Sequence, residues 1–195
     1  MRVGVLALQG DFEEHCSAMK RLGIETIEVR LPEDLEGIDG LIIPGGESTT
    51  VGKLARQWGF IEELRELSRK IPFWGTCGGL VLMAKDVGFD QPLLNLIDMD
   101  VERNAFGRQL ESFETDLVIS GLEGPPFPGI FIRAPVVTRV GDGVRVVCRL
   151  EDGRIVAVRQ GNLLAMSFHP ELTDDDRLHR YFVRMIEEYR SAQSD

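Results

Sequence analysis

Short apolar runs alternate with amphipathic segments through the first half of the chain. A short apolar run bounded by turn residues is typical of a buried strand, and apolar positions spaced by three and four predict a helix. The pattern predicts strands at residues 2–8, 24–29, 39–43 and 72–75, and helices at residues 11–22, 48–57, 61–70 and 79–85. Asp11 is expected to cap the first of these helices. This alternation predicts a three-layer α/β fold, in which a mostly parallel central sheet carries helices on both faces.

In the second half, glycine and proline separate the apolar runs. Strands are predicted at residues 117–120, 129–132, 136–140, 144–150, 155–160 and 163–168. The Asp152-Gly153 pair between two of them is a hairpin signal. A closing helix, predicted from about residue 175 to 189, has an apolar face formed by Leu178, Phe182, Met185, Ile186 and Tyr189.

The length, composition and charge of the chain exclude several classes of protein. The 195 residues predict a single domain, 1–195, and 43% hydrophobic residues exclude a disordered chain. The net charge of −10 argues against nucleic acid or an anionic membrane as a partner. No apolar stretch is long enough to cross a bilayer and no export signal is visible, so we expect a cytoplasmic protein. The three cysteines include no C-x-x-C pair, which argues against a metal site and predicts at least one free thiol.

Three unlike segments each follow a predicted strand. They are residues 44–48, 76–79 and 169–171. Ligands of open parallel sheets bind beyond the carboxyl ends of the strands. We therefore expect these segments to meet at one edge of the sheet and to form a site there.

The segment Gly75-Thr76-Cys77-Gly78-Gly79 has the G-x-nucleophile-x-G form of a nucleophile elbow. The turn of such an elbow is strained and pushes the nucleophile out above the sheet, where bulky neighbours would collide. A buried, inert cysteine is the alternative, but it needs no small residues on both sides. The pattern favours Cys77 as a nucleophile.

The segment His169-Pro170-Glu171 supplies a candidate base with an acid. In an extended backbone, residues i and i+2 point to the same face, so Glu171 is expected to reach and orient the imidazole of His169. A histidine at a strand end beside a surface carboxylate is the alternative. Together with the elbow, the three side chains are those that covalent acyl transfer requires.

The glycine turn at residues 44–50 lies between a predicted strand and a helix that Ser48 or Thr49 is expected to cap. Its free backbone N–H groups are suited to an oxyanion hole, whereas the phosphate-loop pattern is not met. A plain turn is the alternative. Elsewhere, His15 and His179 are expected to be solvated or partly packed helix residues, and Cys16 and Cys148 are expected to pack rather than react.

Six segments, VGVLALQGDFEEH, LIIPGGEST, WGTCGGL, VERNAFGRQ, GIFIRAP and SFHPELT, are familiar in this order and spacing. Through them the chain resembles the class I (triad) glutamine amidotransferases, which have a flavodoxin-like architecture. Within that class it is most similar to the family of glutaminase subunits of pyridoxal 5′-phosphate synthases. The resemblance covers nearly the whole chain.

The resemblance implies that Cys77 is the nucleophile of glutamine hydrolysis, His169 the general base and acid, and Glu171 its orienting partner. It implies an oxyanion hole at Gly46 and Gly78. It also implies a set of L-glutamine-binding residues, which are Gly46, Glu47, Ser48, Arg103, Ile132 and Arg133. No metal or organic cofactor is implied. The ammonia would pass to a synthase subunit that builds pyridoxal 5′-phosphate from a pentose phosphate and a triose phosphate.

One position departs from the family pattern, and three alternatives stay open. The family commonly has alanine after the nucleophile, where this chain has Gly78. A glutaminase of another synthase would share the triad but not VERNAFGRQ or FIRAP. A DJ-1-like cysteine hydrolase commonly has histidine directly after the cysteine. In a non-catalytic interaction module, Cys77 would be dispensable.

Overall fold

The structure is a computed structural model that describes residues 1–107 and 111–194. The strands are β1 (Arg2–Leu6), β2 (Glu25–Val29), β3 (Gly40–Ile43), β4 (Phe73–Thr76), β5 (Met99–Glu102), β6 (Ser112–Leu117), β7 (Phe127–Ile132), β8 (Val136–Val140), β9 (Arg145–Arg149), β10 (Ile155–Gln160) and β11 (Leu163–Met166). The helices are α1 (Phe12–Arg21), α2 (Ser48–Gln57), α3 (Phe60–Leu67), α4 (Gly78–Met83) and α5 (Arg177–Ser194). Within the described residues, no helix is long and apolar enough to cross a membrane.

The central sheet has a parallel half and an antiparallel half. Its strand order is β2-β1-β3-β4-β11-β10-β8-β5, with β9 also paired to β10. The pairs from β2 to β11 are parallel, and those from β11 to β5 are antiparallel. Strands β6 and β7 form a separate antiparallel ribbon. The predicted mostly parallel α/β arrangement is confirmed for the strands that carry the candidate site.

Helices cover both faces of the parallel strands, so the core has two layers. Successive side chains of a strand point to opposite faces. Accordingly, Ile43 and Phe73 pack with α2, α3 and α4 on one face, whereas Ile42 and Trp74 pack with α1 and α5 on the other. Strands buried on both faces appear in the sequence as the continuous apolar runs from which they were predicted.

Several predicted strands need correction. The strand predicted at residues 117–120 is wrong: β6 ends at Leu117, and residues 118–120 lie outside any strand. Burial of Leu117 and Ile119 around the exposed Val118 mimics strand alternation in a segment that leaves the ribbon. Strand β11 ends at Met166, two residues early, and β5 was not predicted because it is short and alternates with acids. The hairpin between β9 and β10 is confirmed.

Candidate active site

The three predicted loops meet at one edge of the sheet. They follow β3, β4 and β11, which are neighbours in the sheet and parallel. A cavity of about 410 Å³ opens there. Its lining includes the predicted site residues Gly46, Glu47, Ser48, Cys77, Gly78, Arg103, Ile132, Arg133 and His169. The end of β1 adds Gln9, Gly10 and Asp11, which the sequence did not single out as site residues.

Cys77 lies between β4 and α4 in a strained backbone conformation, with φ +46° and ψ −105°. Non-glycine residues rarely adopt such a conformation, and those that do cluster at functional sites. The flanking glycines are sterically required: a Cβ on Gly79 would lie 2.0 Å from the carbonyl oxygen of Ile43. The elbow therefore places the Cys77 thiol at the cavity, as the motif predicts.

His169 and Glu171 are in contact, although the backbone differs from the prediction. Residues Pro170–Leu172 form a 3-10 turn rather than an extended segment. The turn still brings Oε1 of Glu171 to 2.6 Å from Nδ1 of His169. Both side chains are almost fully buried. Glu171 lies behind the imidazole and does not line the cavity.

This arrangement stabilises positive charge on the imidazole. Burial of His169 opposes that charge, but hydrogen bonds to two carboxylates and to the Cys77 thiol outweigh it and raise the pKa of His169 well above its ordinary value. Burial raises the pKa of Glu171 and outweighs the hydrogen bond and charge of His169, which lower it. The site combines a thiol, an imidazole beside it, and a buried carboxylate that orients the imidazole.

The second carboxylate on His169 belongs to Asp11. Asp11 precedes α1, but its side chain makes no capping hydrogen bond, contrary to the expectation that it caps this helix. Instead, Oδ2 of Asp11 lies 3.3 Å from Nδ1 of His169. Potential ligand atoms of Asp11, His169 and Glu171 lie within 4.8 Å of one another. The 2.6 Å contact between His169 and Glu171 is a hydrogen bond, which leaves no space for a cation between them.

The turn after β3 approaches the elbow closely. A Cβ on Gly78 would lie 2.3 Å from the carbonyl oxygen of Gly46. With the turn after β3 placed this close, the residue after the nucleophile has to be glycine. Gly46 and Gly78 are thus neighbours, as the predicted oxyanion hole requires. The next N–H of the loop, that of Glu47, donates a 2.8 Å hydrogen bond to Oε1 of Gln9.

Glu47, rather than Ser48 or Thr49, caps α2. Its carboxylate accepts hydrogen bonds from the backbone N–H groups of Thr49 at 3.2 Å and Thr50 at 2.7 Å. Burial opposes the charge, but hydrogen bonds from the first turn of α2, together with the charge of Arg103, lower the pKa of Glu47 to about 2. The loop that faces the elbow is therefore fixed to the helix that follows it.

Arg103, which directly follows β5, holds the turn after β3 and the start of α2. Its guanidinium donates to Oε1 of Glu47 at 2.8 Å, to the hydroxyl of Thr49 at 2.9 Å and to Oε1 of Gln91 at 3.2 Å. The hydroxyl of Ser48 donates to the same oxygen of Gln91 at 3.4 Å. Arg103 thus reaches the cavity while holding the loop. Arg108 and Gln109, at the end of the same motif, lie outside the described residues.

Ile132 and Arg133 reach the site from the end of β7. The carbonyl oxygen of Ile132 lies 3.9 Å from Sγ of Cys77 and accepts the weak thiol hydrogen bond. Arg133 has φ +42°, and it is one of three non-glycine residues with positive φ that line the cavity, with Cys77 and Asn104. Its side chain is exposed and lines the cavity.

The model of the SNO glutamine amidotransferase family matches residues 5–188. The chain belongs to this family.

Curated relatives and a solved structure support the same glutamine amidotransferase assignment. The chain is 54% identical over 189 residues to "Pyridoxal 5'-phosphate synthase subunit PdxT" of Roseiflexus castenholzii, covering 95% of this chain and 100% of that protein. It is 57% identical over 187 residues to the protein of the same name from Thermus thermophilus, covering 94% and 96%. A solved structure titled "Crystal structure of glutamine amidotransferase" matches with a TM-score of 0.90 at 57% identity, covering 95% of this chain and 98% of that one.

Two histidines of this glutamine amidotransferase were expected to be solvated or partly packed helix residues, and the structure corrects this expectation. His15 and His179 are completely buried behind the triad. A signal was available for His179, because it lies three and seven residues before Phe182 and Ile186 on the apolar face of α5. No comparable signal exists for its contact with His15, 164 residues away in the chain.

Proposed function

We propose that Cys77, His169 and Glu171 hydrolyse L-glutamine to L-glutamate and ammonia, and that the whole chain acts as one amidotransferase domain. The observation that carries this assignment is the strained Cys77 beside a buried His169–Glu171 pair at the mouth of one cavity. The chain is the glutaminase subunit of a pyridoxal 5′-phosphate synthase. The relatives that are 54% and 57% identical carry the name of that subunit.

The reaction begins with the Cys77 thiolate, which attacks the side-chain amide carbon of glutamine. The imidazolium of His169 protonates the amide nitrogen, the carbon–nitrogen bond breaks, and ammonia leaves a glutamyl thioester. Water then gives a proton to the neutral imidazole and its oxygen attacks the thioester. The carbon–sulfur bond breaks, releasing glutamate and restoring the thiolate and the imidazolium.

Glu171 makes these proton transfers possible. Its carboxylate holds the imidazole through Nδ1, which leaves Nε2 for Cys77 and the substrate. It also stabilises the positive charge that His169 carries in the resting state and after thioester hydrolysis. Its burial excludes water, which strengthens this interaction.

Glutamine occupies the cavity beside the elbow. Backbone groups of Gly46 and Gly78 supply the oxyanion hole, where one donor is worth ~3 kcal/mol of transition-state stabilisation. Arg103 and Arg133 provide positive charge for the substrate α-carboxylate, and Glu47 provides negative charge for its α-amino group. Ser48 and the backbone of Ile132 complete the binding site.

The ammonia passes to the synthase subunit, which is the protein partner. That subunit uses it to assemble pyridoxal 5′-phosphate from a pentose phosphate and a triose phosphate. A cytoplasmic location suits this activity, because Cys16, Cys77 and Cys148 are all free thiols and a reducing compartment keeps thiols free. No metal or organic cofactor enters the reaction proposed for this chain.

The test is glutamate release from L-glutamine by the purified chain, alone and mixed with the synthase subunit. We expect hydrolysis that the partner stimulates and that Cys77→Ser abolishes. The matched control is Cys16→Ser, which removes a half-buried thiol away from the cavity and should keep wild-type activity. Hydrolysis that ignores the partner would point to another synthase, and hydrolysis that survives Cys77→Ser would exclude the proposed mechanism.

A further inference from the structure

A chain of buried polar side chains continues behind the triad. Oε2 of Glu171, the oxygen that does not face His169, is buried, accepts no hydrogen bond from the described residues and lies 3.4 Å from Nε2 of His15. The same nitrogen of His15 lies 3.1 Å from the hydroxyl of Thr76. On the other side of the ring, Nδ1 of His15 lies 3.0 Å from Nε2 of His179. These contacts join α1, α5 and the end of β4 to the orienting acid.

Both histidines are neutral. Burial lowers the pKa of His15 and lowers that of His179 to about 4, so neither ring competes with His169 for the proton at neutral pH. Besides burial, the charges of His179 and His169 act on the pKa of His15, and those of Asp176 and Arg21 act on the pKa of His179. The Glu171 carboxylate lies 3.4 Å from Nε2 of His15. A neutral imidazole has one N–H and one acceptor nitrogen, so the 3.0 Å contact between the rings contains a single proton.

The surroundings decide which ring donates that proton. If His15 donated, the proton of His179 would lie on Nδ1, a buried atom with no hydrogen-bond partner, and Nε2 of His15 would face the Glu171 carboxylate as a second acceptor. If His179 donates, Nδ1 of His179 is only an unused acceptor, and His15 carries its proton on Nε2. A buried donor without a partner is the rarer and more costly case. The second arrangement is therefore the one that the fold supports.

We propose that His15 is a positioning residue of this glutaminase: its Nε2–H donates to the hydroxyl of Thr76 and lies beside Oε2 of Glu171, where the positive end of the N–H supports the carboxylate against His169, while His179 fixes the tautomer of His15. The proposal rests on the roles assigned to Cys77, His169 and Glu171 above.

The two rings are held in place for this purpose. Trp74 on β4 packs edge-on against His15 at 5.5 Å and against His179 at 4.9 Å between ring centroids. Neither histidine lines the cavity, so neither contacts glutamine. Loss of the His15 N–H removes a polar group that lies 3.4 Å from the buried Oε2 of Glu171, which favours protonation of the carboxylate and weakens its hold on the imidazolium. The effect should fall on the proton transfers and not on substrate binding.

The test uses His15→Gln and His15→Asn in the complex with the synthase subunit. A glutamine side chain can carry its amide N–H to the position of Nε2, whereas asparagine reaches only the position of Nδ1. We expect His15→Asn to lower kcat by about 10- to 100-fold, by analogy with the loss of outer hydrogen-bond partners of metal-binding side chains. KM for glutamine should stay within about twofold, and His15→Gln should recover most of kcat. Equal kcat in both variants and the wild type would overturn the proposal.

A second measurement tests the positioning role of His15 independently of glutamine hydrolysis. The rate of Cys77 alkylation by iodoacetamide, followed by peptide mass spectrometry across pH, reports the thiolate without any need for glutamine. We expect slower alkylation near neutral pH and a midpoint at higher pH in His15→Asn, both restored in His15→Gln. If this pattern appears while the wild type fails to hydrolyse glutamine, the proposed function is wrong and the positioning role stands. An unchanged alkylation profile in His15→Asn would overturn the positioning role.

Discussion

The carbonyl oxygen of Gly46 lies where a side chain at Gly78 would begin. A Cβ on Gly78 would be 2.3 Å from that oxygen, closer than real Cβ contacts. The glycine that departs from the family pattern is thus matched to the position of the neighbouring loop. It allows the turn after β3 to lie directly against the elbow.

Replacing Gly78 with alanine should therefore force the loop backbone to move. Because the colliding atom is backbone and not the end of a flexible side chain, we expect Gly78→Ala to destabilise the fold by about 1–3 kcal/mol. Thermal denaturation measures this change, and glutamine kinetics measure its effect on the Gly46 side of the oxyanion hole. An unchanged Tm would mean that the loop relaxes without cost.

The two carboxylates on His169 should contribute unequally to catalysis. Glu171 is fully buried and 2.6 Å from Nδ1, whereas Asp11 is 3.3 Å away with about a third of its side chain exposed. We expect Glu171→Gln to lower kcat on the order of 10³-fold or more, because it removes the charge that stabilises the imidazolium. Asp11→Asn should cost less than about tenfold, because water screens an exposed charge. Steady-state glutaminase assays with the synthase subunit provide the comparison, and equal losses would contradict this ranking.

Local patterns predicted the parallel strands and the elbow because burial on both faces leaves continuous apolar runs and a tight turn needs small residues. They did not reveal β5, in which Met99 and Val101 alternate with acids at the edge of the sheet. The contact between His169 and Glu171 was predicted correctly, but from an extended backbone. The backbone there is a 3-10 turn, which also brings the two side chains together.

Contacts between distant segments could not be predicted from spacing. Asp11 looked like a helix cap, but its carboxylate turns to His169 because β1 and β11 end at the same edge of the sheet. Similarly, His15 and His179 meet only after α1 and α5 pack on one face. Side chains that act through tertiary contacts have no local signature, so the second layer of this site emerges from the fold alone.

Arg103 and Arg133 should differ in what their loss does to the fold. Arg103 holds Glu47, Thr49 and Gln91, so Arg103→Ala should raise KM for glutamine and also lower Tm. Arg133 is an exposed cavity residue, and Arg133→Ala should raise KM by about tenfold or more at an unchanged Tm, because a hydrogen bond to a charged group is worth roughly 1.5–3 kcal/mol. Parallel glutamine titrations and melting curves test this. Wild-type KM in either variant would remove that arginine from the binding site.

The stability that Glu47 contributes should depend on pH in a defined direction. Its pKa is about 2 in the folded chain against an ordinary value of 4.5, so the folded state favours the ionised carboxylate. The contribution is therefore complete above pH 4.5 and is lost as the pH falls towards 2. At neutral pH, Glu47→Gln should destabilise the chain by about 1 kcal/mol, the usual worth of a helix cap. The difference in Tm between this variant and the wild type should shrink across that acid range, and Glu62→Gln on the exposed face of α3 serves as the control. A difference that persists unchanged at the lowest pH would show that the cap acts through packing and not through the charge.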